Sequence, residues 1–346
     1  MPSTRIVDIS FCAPPLMPTE EFAKLFATDV GGDDVARVVR NSAIDTKGMA
    51  VNPFAEDPRW WPTRERMDRG LLEARSLATE AIALALGRAG LRPDEIGFLA
   101  TVTTTTHSAP GLDALAPAMG MRDDTATLSL GPMGCYAALP ALSACRDWVE
   151  THRRPAVLLA VDLFSPHLQP PPYDKEKAVC LTLFGDGAAA VVLTPDGDGA
   201  DGMEIVDTQQ LTVPAHADDL QVHVGDLGMY IRLAPTMPEV VAAAVRGPVD
   251  ALLARNRLDG ADVTWWAVHP GGRRIIDRVG EVCDVPETSL AASRAVMRDY
   301  GNTAAPAVLG VLENLQKSRP LGRGEHGVAM AFGPGATVCV MLLRGA

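Results

Sequence analysis

Three residues in this chain are of types that together do acyl chemistry: Cys135, His269 and Asn302. Cys135 stands in "LSLGPMGCYAAL", where a strand-like run meets a Gly-Pro-Met-Gly turn and an alanine-rich helix pattern begins. Unpaired N–H groups and the helix dipole at such a start favour the thiolate, the reactive form of the side chain. A cysteine there can equally be a packed core residue, the ordinary state of a free thiol. His269 closes the apolar run "VTWWAV" and precedes Pro-Gly-Gly. The carboxyl end of a buried strand is where α/β folds build their sites. Its alternative is a hydrogen-bonded core histidine. Asn302 stands in "DYGNTAAPAVLG", a Gly turn opening a helix, where Asn is also a good cap. The other histidines, His107, His152, His167, His216, His223 and His326, sit among polar or proline-rich neighbours and read as surface or loop residues.

Two chemistries use a Cys, a His and an Asn. In peptide hydrolysis of the papain type, Asn orients His. In decarboxylative condensation, Cys carries an acyl thioester while His and Asn donate hydrogen bonds to the carbonyl of a malonyl thioester. That charge stabilisation lets CO2 leave and an enolate form.

The elements that must position these residues follow from pattern. Helical spacing over residues 66 to 91 ends on a Gly. "IGFLATV", "ATLSLG" and the apolar "AVLLAVDLF" read as strands, with "CYAALPALSACRDWVETHRR" a helix between the last two. The second half rhymes: "TMPEVVAAAVRGPVDALLARNRL" is helical, "VTWWAV" a strand and "NTAAPAVLGVLENLQK" a helix. Phe184-Gly185-Asp186-Gly187-Ala188 is echoed by Phe332-Gly333-Pro334-Gly335-Ala336, each before a Val-rich strand. This predicts an α/β chain of two duplicated halves, 1–200 with the cysteine and 201–346 with the His and Asn. The proline-rich segment 165–177 reads as a surface loop or lid.

Bulk properties restrict the function further. The chain has 346 residues, 47% of them hydrophobic and 21% charged, an ordinary globular composition. A net charge of −12 argues against nucleic acid as a partner. No apolar run is long enough to span a membrane, and the first residues do not read as a signal peptide. The six cysteines form no CxxC pair, so a zinc site is not expected, and free thiols in the cytosol are. The cytosolic reading, the paired halves and the lack of disulfides favour condensation over hydrolysis.

At this point the motifs are recognisable. "MGCYA", "LFGDGAAAVVL", "AVHPGGRRIID", "DYGNTAAPAVLGVLE" and "FGPGATV", in that order, resemble the chalcone synthase-like type III polyketide synthases of the thiolase superfamily. Ketoacyl synthase III shares fold and triad types, but "HPGG" and "FGPG" belong more to the chalcone synthase side. The resemblance implies a five-layered αβαβα fold, a homodimer, no bound cofactor or metal, and acyl and malonyl thioesters as substrates. Cys135 would be acylated, His269 would hold the thiolate as an ion pair, and Asn302 would help stabilise the enolate. "TTTTHSAPGLD" would put Thr103 and Thr104 on the cavity side and Ala109-Pro110 at the dimer crossing.

Several positions depart from the family pattern. Two cavity Phe positions align near His167 or Leu168 and at Ile231, implying a lost or rebuilt aromatic gate. A cavity Gly falls at Val222, a serine at Ala304, and Gly335 lies in the C-terminal loop that shapes the cavity. Of the basic residues that hold coenzyme A phosphates only Arg37 matches, with Arg40 and Lys47 as substitutes. The sparse basic set raises acyl-carrier-protein phosphopantetheine beside acyl-CoA and malonyl-CoA as donor. The primary expectation is starter extension and cyclisation. The alternatives are a carrier-protein-dependent ketosynthase joining two β-ketoacyl chains into an α-pyrone, and an acyltransferase resembling ketoacyl synthase III.

Overall fold

A computed structural model describes residues 3–196 and 202–346. The boundary expected between the halves, at residues 200 and 201, lies outside the described residues. The first half runs β1 (Thr4–Cys12), β2 (Leu16–Pro18), α1 (Thr19–Lys24), α2 (Gly32–Asn41), β3 (Thr46–Gly48), α3 (Thr63–Ala89), β4 (Phe98–Val102), α4 (Leu115–Ala118), β5 (Ala126–Leu130), α5 (Ala138–His152), β6 (Ala156–Asp162), α6 (Lys175–Leu183) and β7 (Gly187–Pro195). The second runs β8 (Met203–Thr212), β9 (Leu220–Gly225), β10 (Gly228–Leu233), α7 (Met237–Arg255), β11 (Val263–Val268), α8 (Arg273–Val282), α9 (Ala291–Tyr300), α10 (Ala305–Ser318), β12 (His326–Gly333) and β13 (Thr337–Gly345).

β5, β4 and β6 are parallel neighbours, and β7 and β1 continue that sheet antiparallel. In the second half β11 and β12 are parallel, with β13 and β8 antiparallel beyond them. Arg5 and Ile6 pair with Glu204 and Met203, so the halves join in one nine-stranded sheet, β11-β12-β13-β8-β1-β7-β6-β4-β5. Strands such as β6 are apolar throughout because both faces are covered. α5 and α10 pack between the two halves of the sheet, α3 covers the outer face of the first, and α7 with α8 covers the second. The five-layered arrangement is therefore present.

The pattern of expected elements holds, with shifted ends. The long helix starts at Thr63 rather than residue 66, and α5 starts at Ala138 rather than at the cysteine. Segment 165–177 is only partly a surface loop. Ser165, Pro166, His167 and Leu168 are buried, and so is Tyr173. Arg66 explains this: its fully buried guanidinium donates to Pro166 O at 3.1 Å and Leu168 O at 2.8 Å, and to Trp61 O and Arg59 O. The β9–β10 hairpin, which the periodicity did not single out, folds beside this segment. All six cysteines are unpaired. Among the described residues no helix is long and apolar enough to cross a membrane, and no cluster of three His, Cys, Asp or Glu is arranged for a metal.

Candidate active site

The ends of four elements meet at one cavity of about 40 Å³ lined by Cys135, His269 and Asn302. Cys135 sits in the turn before α5, closed by the Ala137 N–H donating to Gly134 O at 3.1 Å. Gly134 has φ +76°, and a Cβ there would lie 2.5 Å from Cδ of Pro334. Glycine is required by both the backbone and the neighbour. Gly333 plays the matching part from β12: a Cβ on it would come 2.6 Å from Tyr136 and 3.4 Å from the Cys135 amide nitrogen. The "MGCYA" and "FGPG" motifs are thus two sides of one contact.

His269 directly follows β11, and its N–H extends the strand pairing by donating to Met330 O at 2.8 Å. The ring is buried, yet neither Nδ1 nor Nε2 has a hydrogen-bond partner among the described residues. Buried polar atoms are nearly always paired, so two orphans on one ring mark a group kept for a visitor. Burial pushes the imidazole down to about 3.

Asn302 is fixed by its backbone and its side chain together. Its N–H donates to Leu183 O at 2.8 Å and its carbonyl accepts from Gly185 N–H at 3.1 Å. Its Oδ1 accepts the Ala304 N–H at 2.9 Å. That bond sets the carboxamide orientation, with Nδ2, a donor, 3.9 Å and Oδ1 4.0 Å from Cys135 Sγ. The cap expected of Asn302 and its place in the site are therefore one and the same. Ala304 takes φ +55°, a left-handed value uncommon for a residue with a Cβ.

The expectation that a helix start favours the Cys135 thiolate is corrected. α5 begins three residues later, and burial, with the Asp162 carboxylate adding to it, pushes the thiol up to about 12. Burial opposes a charge on Cys135 and on His269 alike. Moving a proton from sulfur to imidazole creates an ion pair without net charge, so burial opposes the pair less than it opposes either charge alone.

Asp162 was missed from sequence, although an Asp ending the otherwise apolar "AVLLAVDLF" is a visible signal. It is fully buried. Oδ1 accepts from Thr104 N at 2.7 Å, from Thr105 N at 3.1 Å and from Thr105 Oγ1 at 3.3 Å. Oδ2 accepts from Ala305 N at 3.3 Å. It clamps the loop after β4 to the start of α10, where Asn302 is anchored. Burial pushes its carboxyl up to about 7, against these donors. Asp186 of "FGDG" ties Ala50, Phe164 and Ser165 in the same way.

Other expected site residues divide. Thr104, Val222, Ile231 and Ala304 line the cavity. Thr103 does not; its Oγ1 accepts from Thr106 N within the loop. Gly335 turns the chain at φ +93°, and Pro334 beside it takes the cavity wall. His167 and Leu168 face a neighbouring chamber instead, and His167 is buried rather than a surface histidine. The gate expected to be lost or rebuilt is aromatic at other positions: Phe164, Phe184 and Phe332 line the cavity, the last two from the echoed F-G-x-G-A motifs.

The basic residues need the largest correction. Lys47 is 1% exposed. Its Nζ donates to Leu181 O at 2.5 Å and Phe184 O at 3.3 Å, lies 3.5 Å from the Phe22 ring centroid, and burial lowers it to about 7. It caps the carboxyl end of α6 and cannot reach a solvent-side phosphate. Arg37 is exposed and paired with Asp34, and Arg40 is exposed; neither lines the groove leading to the cavity. That groove, about 500 Å³, shares Leu183, Leu233, Met237, Gly271 and Ile275 with the cavity. Its cations are Lys175, Arg273, which pairs with Asp277, and Arg274, which pairs with Glu239, and the buried hydroxyl of Thr182 in its wall has no partner among the described residues.

Comparison with known proteins decides the family. Residues 31–210 match the family described as FAE1/type III polyketide synthase-like protein, and residues 204–346 match the C-terminal domain of chalcone and stilbene synthases. The chain belongs to the type III polyketide synthase family. It is 34% identical over 277 residues to the 1,3,6,8-tetrahydroxynaphthalene synthase of Streptomyces peucetius, covering 78% of this chain and 72% of that one. It is 29% identical over 341 residues to the α-pyrone synthesis polyketide synthase-like Pks18 of Mycobacterium tuberculosis, covering 93% and 85%. The fold superposes on PKS-I of the brown alga Ectocarpus siliculosus with a TM-score of 0.92 at 26% identity, covering 100% of this chain and 99% of that one. The tetrahydroxynaphthalene synthase of Streptomyces coelicolor gives a TM-score of 0.91 at 25% identity, covering 99% of each. The thiolase-like fold read from sequence is borne out. The protein is a type III polyketide synthase-like condensing enzyme, an acyltransferase.

Proposed function

We propose that this enzyme loads an acyl group onto Cys135, condenses it with a malonyl thioester by decarboxylation, and cyclises the product. The observation that carries this is the pairing of an imidazole with two unpartnered buried nitrogens and an Asn302 NH2 beside the sulfur, in one cavity. Cys135 passes its proton to His269 and attacks the acyl thioester carbonyl. The carbon–sulfur bond to the donor breaks and the donor thiol leaves with the proton. A malonyl thioester then places its carbonyl oxygen against the Asn302 NH2 and the His269 ring. The bond to the carboxylate breaks, CO2 leaves, and the electron pair remains as an enolate that those donors stabilise. The enolate carbon attacks the acyl-Cys135 carbonyl and displaces the sulfur. Transfer without decarboxylation, the ketoacyl synthase III-like alternative, makes no use of an Asn NH2 so placed.

The donor is a phosphopantetheine thioester. Lys175, Arg273 and Arg274 at the groove and the unpartnered Thr182 hydroxyl in its wall support this, in place of Arg37, Arg40 and Lys47. Coenzyme A and a carrier protein present the same arm. The pyrone-forming reading on carrier-bound β-ketoacyl chains draws on the similarity to Pks18, named for α-pyrone synthesis. A homodimer is supported by β5, an edge strand whose residues Ala126–Ser129 are exposed and offer unpaired backbone groups for a second copy.

The test is intact-protein mass spectrometry and product analysis with malonyl-CoA and acyl-CoA in one arm and acylated carrier protein in the other. Acylation confined to Cys135, and condensed product in at least one arm, are expected. Condensed product from Cys135→Ala overturns the mechanism. Turnover only in the carrier arm selects the carrier-dependent reading.

A further inference from the structure

Beside the catalytic cavity lies a larger one. It measures about 220 Å³ against about 40 Å³, and the two share Phe164, Phe184 and Ile231 as walls. The smaller space holds roughly three waters and the larger roughly fifteen. An acyl group of more than a few carbons on Cys135 therefore has no room among the catalytic residues and must extend elsewhere.

The chamber lies under β10, between the 165–169 segment, α6 and the chain just after β3. Met49, Leu168, Leu181 and Met229 give it buried apolar walls. Most of its polar groups are already engaged within the protein. Lys47 Nζ donates to the Leu181 and Phe184 carbonyls. Ser165 Oγ accepts from Val51 N and donates to Asp186. His167 bonds Thr105 O through Nε2 at 3.0 Å and accepts the Met229 N–H on Nδ1 at 3.3 Å. Gln169 gives its NH2 to the carbonyls of His167, Leu227 and Met229. The Cys180 thiol donates to Ile231 O at 3.6 Å. A β-polyketone chain has a carbonyl at every second carbon, and burying those without donors is costly. A saturated hydrocarbon tail asks for no donors and gains by leaving water.

We infer that this chamber receives the hydrocarbon tail of the starter, so that the enzyme takes medium- to long-chain fatty acyl thioesters rather than acetyl or malonyl starters. The inference rests on the condensing reading above. The separation between the two spaces is made of side chains: Phe164 and Phe184 stack at 4.5 Å, with Ile231 opposite. Rotation of Phe164, which is only partly buried, joins them without moving the sheet. Tyr230 and Lys177 form the outer rim, and Tyr230 is 42% exposed, so the longest tails end near solvent.

The experiment is a series of straight-chain acyl-CoA starters from two to fourteen carbons with malonyl-CoA, followed by kcat/KM and by acylation of Cys135. For the wild type, kcat/KM is expected to rise at least tenfold from acetyl to octanoyl. The same series is run on acyl and malonyl carrier protein; a flat or falling profile overturns the inference while malonyl turnover continues in either form, and absence of malonyl decarboxylation from both coenzyme A and carrier protein instead overturns the condensing reading. Leu181→Trp and Met49→Trp, made separately to guard against one failing to fold, fill the chamber from opposite sides. In each the ratio of octanoyl to acetyl kcat/KM is expected to fall at least tenfold. An unchanged ratio in a folded variant also overturns the inference.

Discussion

Asn302 offers the sharpest perturbation because its two ends do separable work. Oδ1 holds the Ala304 N–H, and Nδ2 is the donor beside the sulfur, to which both ends come within 4.0 Å. Asn302→Ala removes both. Losing one oxyanion donor costs about 10²–10³ in kcat, or about 2.7–4 kcal/mol. The buried Ala304 N–H left without an acceptor costs about 1–3 kcal/mol of stability, a Tm lower by about 1–4 °C in a chain this size. Asn302→Asp keeps an oxygen for Ala304 and puts a second oxygen where the NH2 stood. Deprotonated, it repels the enolate, so at pH 8.5 CO2 release from malonyl-CoA is expected to fall at least as far as in the Ala variant. Burial pushes the neighbouring Asp162 carboxyl up to about 7, and it raises a carboxyl at 302 in the same direction. Protonation then restores a donor, so the Asp-to-Ala rate ratio should climb between pH 8.5 and 6. The assay is CO2 release with melting followed in parallel. A rate in Asn302→Ala within tenfold of wild type, or an Asp-to-Ala ratio that ignores pH, refutes the orientation and the donor role together.

Three further outcomes are expected. In His269→Ala burial and Asp162 raise the Cys135 thiol, opposed by the hydrogen bonds from Asn302 and the backbone and no longer by an imidazolium; the midpoint of the pH profile for iodoacetamide alkylation should move up by more than one pH unit, and an unmoved midpoint excludes an ion pair. Arg66→Ala strands four backbone carbonyls and opens a hole at the 165–168 segment; denaturant unfolding should show a loss of about 3–5 kcal/mol, in the range of breaking a buried network. Asp8 is raised from 3.8 to about 6, chiefly by burial, with Glu313 adding and Arg88 and Lys317 opposing. A raised folded-state pKa means its contribution is fully present below about pH 4 and lost as pH rises through about 6. Asp8→Asn should therefore gain Tm relative to wild type between pH 4 and 7, and a constant difference counts against that linkage.

Much of the site was legible because its motifs are backbone statements. Glycines at 134, 301 and 333 declare turns and close approaches, and each lies next to or against a reacting group. Buried parallel strands declare themselves by unbroken apolar runs, as in β6 and β11. Asp162 was not found because one acid at a strand end looks like the start of a loop until the two segments donating to it are in place. The hairpin β9–β10 escaped because its strands are half-exposed and lack a clean alternation.

The groove residues escaped for a different reason, which is helix phase. On α2, Val38 and Asn41 line the groove, while Arg37 and Arg40 sit one position earlier and point elsewhere. One residue is 100° of rotation, so an alignment right in sequence places the wrong side chain at the rim. Lys47 fails by depth rather than phase: in a three-residue strand its stem runs inward and caps α6. Of the groove cations, Arg273 and Arg274 follow the Gly271-Gly272 turn that also shapes the His269 loop. On the proposed reading, donor recognition and the general acid–base group are then carried on one turn. A donor arm seated against that turn contacts the same backbone that positions the imidazole, so binding of the phosphopantetheine and alignment of His269 are coupled by covalent connection rather than by any distant relay.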